Sequence, residues 1–301
     1  NLLFGVTVQV PKLKEQAVLC LETLYHRFQD CEGVAIEYAE ALVNLSAEQS
    51  LEDCIQSVDK LQLLHGQFQD SEGLAVEYAK GLVNLTSKQS LEDRMQSADI
   101  LQLLYEQFQD SEELAVEYAR GLYNLTTEQE LASCMQSVVK LQALWESGKF
   151  QNNEELALAY ARGLTNLSSE QSLEDCVQST NRLKMLYKQL RESKKLMFVY
   201  AGGLVNLALI QTAEADIQET LKKSKEMLEQ YPEETELQLF YAQTKFNLTL
   251  VQSPDALQQT VAEIREFLLE HLDVNLEFQL ELDKYLDKHP DHAERYELLR
   301  V

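Results

Sequence analysis

The apolar residues of this chain keep helical spacing, in two alternating patterns. Between Glu72 and Leu85, the side chains Leu74, Tyr78, Leu82 and Leu85 fall on one face at three- and four-residue steps, with Ala75 and Ala79 beside them. Alanines at fixed places let a neighbouring helix approach closely. Between Leu51 and Phe68, the residues Leu51, Ile55, Val58, Leu61, Leu64 and Phe68 cover more than one face, as expected of a helix packed between neighbours. Both segments carry start signals. Asp70 or Ser71 can cap the first, and Ser50-Leu-Glu-Asp53 is a capping box for the second. Ser90 with Asp93 and Ser172 with Asp175 repeat that box, and Ser253-Pro254-Asp255 reaches the same end with proline at the first helical position.

The helical pair recurs. An Asn-Leu dipeptide returns at Asn44, Asn84, Asn124, Asn166, Asn206 and Asn247, with spacings of 40, 40, 42, 40 and 41 residues. One such unit cannot bury both sides of its hairpin, whereas stacked copies bury a continuous core. The pattern predicts an all-α solenoid of about seven stacked antiparallel helix pairs. It runs as one array over 1–301, with units at roughly 30–69, 70–109, 110–151, 152–191, 192–231 and 232–289 and partial units at both ends. At Trp145-Glu-Ser-Gly-Lys-Phe150 two extra residues loosen one connection, a length change of the kind loops tolerate.

Ala75, Tyr78, Ala79 and Leu82, together with Tyr231-Pro232-Glu233 and His289-Pro290-Asp291, give the unit a large-small core spacing and a turn proline. In this it resembles the tetratricopeptide-repeat (TPR) family over nearly the whole chain, with a period longer than the family's. The resemblance implies a right-handed solenoid and a protein- or peptide-binding role in a concave groove lined by the first helices. By the family's spacing, Val76, Glu77, Lys80, Val83 and Asn84 would face that groove. The helical wheel supports this in part, because Glu77, Lys80 and Asn84 share one polar stripe away from the Leu74-Tyr78-Leu82-Leu85 face. The groove candidates are Glu37, Asn44, Glu77, Lys80, Asn84, Glu117, Arg120, Asn124, Arg162, Asn166, Asn206 and Asn247.

Composition narrows the partners. With 45% apolar and 25% charged residues the chain folds, and 4 Pro and 10 Gly in 301 residues favour helices. A net charge of −24 repels phosphate backbones and anionic lipid, so nucleic-acid and membrane binding are not expected, while basic or neutral protein segments are. Five Cys without C-x-x-C spacing fit neither a zinc site nor a disulfide framework. Cys54, Cys134 and Cys176 share one repeat position with Arg94, so the expectation is half-buried, reduced thiols in a cytoplasmic protein. The opening NLLFGVTVQVPKLKEQ has neither Met nor a secretory pattern, which suggests an excerpt of a longer polypeptide. Alternative roles are a scaffold or sensor segment of a larger regulatory protein, packed on a neighbouring domain or self-associated.

The repeated Asn has three readings. Asn44, Asn84, Asn124, Asn166 and Asn247 obey N-x-[ST], but Asn206 is followed by Leu-Ala, and a cytoplasmic chain would not meet the glycosylation machinery. A ladder of amides could pair with an extended peptide, with Glu37, Glu77 and Glu117 against Lys80, Arg120 and Arg162 supplying charge selectivity. In the favoured structural reading, the Asn bonds its own loop or the free carbonyls at the helix end. Catalysis finds no support, so no enzyme activity, cofactor or metal is expected. The five His are scattered, and His289 and His292 flank a turn without an evident third ligand. Acidic pairs such as Glu112-Glu113 and Glu233-Glu234 sit at helix starts, where they complement the dipole. The recurring Tyr38, Tyr78, Tyr118, Tyr160, Tyr200 and Tyr241 lie on the apolar face.

Overall fold

The computed structural model describes residues 11–127, 131–168, 171–190 and 193–299. The described residues form fourteen α-helices and two short 3-10 segments, Pro290–His292 and Glu294–Leu299, with no strand among them. In chain order the helices are α1 (Pro11–Arg27), α2 (Glu32–Ser46), α3 (Leu51–Gln67), α4 (Glu72–Thr86), α5 (Leu91–Gln107), α6 (Glu112–Leu125) and α7 (Leu131–Glu146). They continue as α8 (Glu154–Ser168), α9 (Leu173–Gln189), α10 (Lys194–Ile210), α11 (Glu214–Gln230), α12 (Thr235–Thr249), α13 (Pro254–Glu270) and α14 (Leu272–Lys288). Consecutive helices pack in adjacent antiparallel pairs, an all-α solenoid arrangement of seven pairs. The chain divides into two compact units, Asn1–Gly163 and Leu164–Val301, with the division inside α8.

In the first unit α2, α4 and α6 pack side by side, and each also contacts the helix before and after it. We call these the inner helices and α3, α5 and α7 the outer ones. In the second unit α10, α12 and α14 pack side by side in the same manner, against α9, α11 and α13. The helix starts follow the sequence signals. Ser50, Ser90 and Ser172 each accept a backbone N–H three residues on and donate to the Asp there, at 2.7, 2.6 and 2.7 Å. Ser71, and not Asp70, caps α4, accepting from the N–H of Leu74, and Ser111 and Ser193 cap α6 and α10 likewise. At the loosened connection Gly148 takes φ +79°, a left-handed conformation that glycine adopts without strain.

Outer leucines enter the inner helices where glycine removes a side chain. A Cβ on Gly81 would stand 2.4 Å from Leu61 Cδ1, and one on Gly121 would stand 2.4 Å from Leu101 Cδ1. In the second unit the same relation links Gly203 and Leu183, at 2.5 Å. The buried row of each outer helix is therefore narrower than its apolar pattern. Cys54, Val58, Leu61 and Leu64 are buried, while Leu51 and Ile55 are 42% and 41% exposed. The expectation that α3 is covered on more than one face is corrected accordingly. Each outer helix meets inner helices on one side only, and the opposite stripe keeps its leucines in solvent. Cys54, Cys134 and Cys176 are fully buried, not half-buried, and burial raises the thiol pKa of Cys54 and Cys176.

Two leucines two residues apart test this assignment. Leu101 is 1% exposed and Leu103 is 64% exposed. Leu101→Ala should cost about 2–4 kcal/mol in urea denaturation, and Leu103→Ala less than about 0.5 kcal/mol. Equal losses would contradict the packing.

Candidate functional site

The recurring Asn reaches backward across the repeat. Asn84 Nδ2 donates to Val43 O at 3.2 Å and to Ser46 Oγ at 3.0 Å, both at the end of α2. Asn124 Nδ2 donates to Thr86 Oγ1 at 2.8 Å, at the end of α4. In the second unit Asn206 Nδ2 donates to Thr165 O at 3.2 Å and Ser168 Oγ at 3.0 Å. The structure thus corrects the bonding partner: it is the preceding unit's helix end, not the residue's own loop. Asn44 is exposed and donates to no described residue. Asn166 sits half-buried at the equivalent place on α8.

In these contacts the acceptor hydroxyl is that of an N-x-[ST] triplet, Ser46, Thr86 or Ser168. Ser46, Thr86, Ser168 and Thr249 are 0% exposed, and each donates its proton to the carbonyl three residues back, at 2.8, 2.7, 2.8 and 2.6 Å. With its one proton spent, the hydroxyl can only accept. The next unit's Asn must therefore present its nitrogen, which fixes the amide orientation. Ala208 stands where the triplet lacks a hydroxyl, and there Asn247 Nδ2 keeps only a carbonyl, Val205 O at 3.2 Å. Thr249 meets Tyr296 Oη at 3.0 Å, and since its own proton goes to Phe246 O, Tyr296 donates. Sequence reasoning missed these hydroxyls, although the N-x-[ST] spacing was their signal.

The amide oxygens of Asn84, Asn124 and Asn206 accept from no described residue. Asn84 and Asn206 have both amide protons engaged and so offer only an acceptor, while Asn124, with one bond from its nitrogen, keeps a second N–H beside its oxygen. Beside them the predicted groove residues separate. Val76 and Glu77 are buried, 5% and 6% exposed, as is Glu117 at 4%, so they do not form an open groove surface. Lys80 bonds Glu77 at 2.7 Å and lies 3.9 Å from Glu113. Arg120 bonds Glu117 at 2.7 Å and Glu155 at 3.2 Å, tying α6 to α8. Burial raises the carboxyl pKa values of Glu77 and Glu117, opposed by Lys80 and Arg120. Burial pulls Lys80 down, but its bond to Glu77 and the fields of Glu77, Glu113 and Glu117 outweigh that and raise it. Arg162 stacks over Tyr123 at 5.7 Å, and Glu37 stays exposed.

Tyr38, Tyr78, Tyr118, Tyr160 and Tyr200 are buried core groups, and Tyr241 is half-buried. Tyr38 Oη donates to Glu22, which also takes Lys60 at 2.7 Å, and Tyr118 Oη donates to Gln102, which also takes Lys140 at 3.0 Å. Burial pushes the phenols of Tyr118 and Tyr200 up to about 12. Outer aromatics stack on them, Tyr105 on Tyr118 at 5.9 Å and Tyr187 on Tyr200 at 6.0 Å. His65 takes that place against Tyr78, at 6.0 Å, with its Nδ1 buried and unbonded. His292 Nδ1 bonds Tyr285 Oη at 2.8 Å, and the described residues hold no group of three metal-ligating side chains. No described helix is long and apolar enough to cross a membrane. Comparison of the chain with protein-family models, curated proteins and solved structures found no match.

Two stability measurements follow from this geometry. Asn124→Ala removes the donor to Thr86 and leaves a buried acceptor unpaired, and should cost about 1–3 kcal/mol by denaturation. Burial lowers the pKa of His65 below its ordinary 6.5, so the folded state favours the neutral ring. Its contribution is complete above that unfolded value and is lost as pH falls through it. His65→Tyr, which copies Tyr105, should narrow the fall in melting temperature between pH 7.5 and 5.5, buffer conditions that bracket the ordinary histidine pKa of about 6.5. An unchanged fall would show that His65 does not titrate against folding.

Proposed function

We propose that this chain is a non-enzymatic protein-binding repeat module whose inner helices recognise donor-rich, cationic segments. The supporting observation is the orientation of the repeated amides. Asn84 and Asn124 are each anchored through nitrogen to the preceding helix, by two bonds and one bond, which leaves a spaced pair of amide oxygens that accept from no described residue. A ligand for such a row must bring donors, such as the backbone N–H groups of an extended segment or Lys and Arg side chains. The net charge of −24 favours the same ligands and speeds their approach. The resemblance to TPR arrays agrees with this reading.

The test separates ligand contact from stability. Binding of a labelled peptide of alternating Lys and Gly is followed by anisotropy, with a Glu and Gly peptide as control. Asn84→Ala combined with Asn124→Ala should weaken the Lys peptide about tenfold or more, from two lost hydrogen bonds. Ser46→Ala should lower the melting temperature yet leave affinity unchanged, because Val43 O still holds the Asn84 amide in place. If the Asn variants melt earlier but bind equally well, the amides serve only the fold.

A further inference from the structure

We infer that the exposed face of α14 is a docking site for a basic amphipathic helix of another protein. This does not rest on the amide row, which lies on other helices. Along α14, Val274, Phe278, Leu282 and Leu286 are buried at four-residue steps against α12 and α13. A second row with the same step, Leu272, Leu276 and Leu280, faces solvent with exposures of 69%, 70% and 56%. Single exposed leucines are ordinary, but three successive turns of one helix form a contiguous apolar stripe. The four-residue step is the one that packs the side chains of a second helix into the gaps between turns.

Charge selects the occupant. One residue on from each leucine stands an acid, Asp273, Glu277 and Glu281, and all three are exposed. Glu281 is paired with Lys284 at 2.7 Å on the same helix. A leucine row bordered by a carboxylate row fits a helix with an apolar row bordered by Lys or Arg. A second copy of this chain fits poorly. Two copies meeting along this stripe would bring their acidic rows together, each copy carrying a net charge of −24.

The probe is a labelled synthetic amphipathic helix with Leu at four-residue steps and Lys on the flanking positions, titrated with the full chain. Two control peptides accompany it, one with Glu in place of Lys and one with Ser in place of Leu. The Leu/Lys helix should bind at least about tenfold more tightly than either control, and Leu276→Asp should weaken it by a similar factor. That variant adds negative charge, so a general attraction between acid and base would strengthen binding instead. Asp273→Lys with Glu277→Lys should weaken the Leu/Lys helix and favour the Glu version. Circular dichroism should show all variants folded, since these positions are exposed. Unchanged or tighter binding to Leu276→Asp would overturn the proposal. So would light scattering that shows a wild-type dimer turned to monomer by Leu276→Asp, which would give the stripe to a second copy.

Discussion

At three places in this array a unit is tied to the one before it by an Asn that completes a buried hydroxyl: Asn84 on Ser46, Asn124 on Thr86 and Asn206 on Ser168. A Ser or Thr near the end of an inner helix turns its proton back on its own carbonyl, which leaves a buried lone pair. The Asn of the next unit supplies the missing donor. The contact satisfies groups that would be costly to bury alone, and it works only at one distance and angle between neighbouring helices. The same inner helices are also approached closely from the outer side, where Leu61 and Leu101 fill the space that Gly81 and Gly121 leave open.

Other polar groups repeat the principle at different heights. Lys88 reaches back to Ser46 O at 2.7 Å and Gln49 O at 2.8 Å, and Gln107 reaches Gln69 O at 2.8 Å. Arg120 links the carboxylates of two units, and Gln102 joins a tyrosine and a lysine from the helices that follow it. The bonds of Lys88, Gln107, Arg120 to Glu155 and Lys140 to Gln102 span 35 to 42 residues, close to one repeat, so contacts between neighbours are distributed along the chain. The same bonds consume donors. The amide oxygens of Asn84, Asn124 and Asn206 are left without a described donor, the observation on which the proposed preference for cationic segments rests.

The outer surfaces follow a different economy. An outer helix touches inner helices with one face, so its remaining leucines have no partner within the unit, as Leu63 and Leu103 show at 74% and 64% exposed. α14, although it belongs to the row of α10 and α12, carries a comparable exposed stripe, because its buried apolar residues and exposed leucines keep the same four-residue step on opposite sides.

Helix positions, caps and the pairing of helices were legible in the sequence, because each depends on residues within a few positions of one another. The spacing of Leu74, Tyr78 and Leu82 and the Ser50-to-Asp53 box are local signals, and the helices they announced are present. The recurrence of Asn at a 40-residue spacing was equally visible, and it pointed to a structural role. Its partner was not visible. Whether an amide turns to its own loop, a ligand or a neighbouring helix depends on which acceptors lie within about 3 Å, and those come from a segment 38 to 42 residues away. The burial of Glu77, the exposure of Ile55 and the unbonded Nδ1 of His65 were hidden for the same reason. Periodicity decides which residues share a helix face, whereas only the packing of distant helices decides which faces meet and which stay in water.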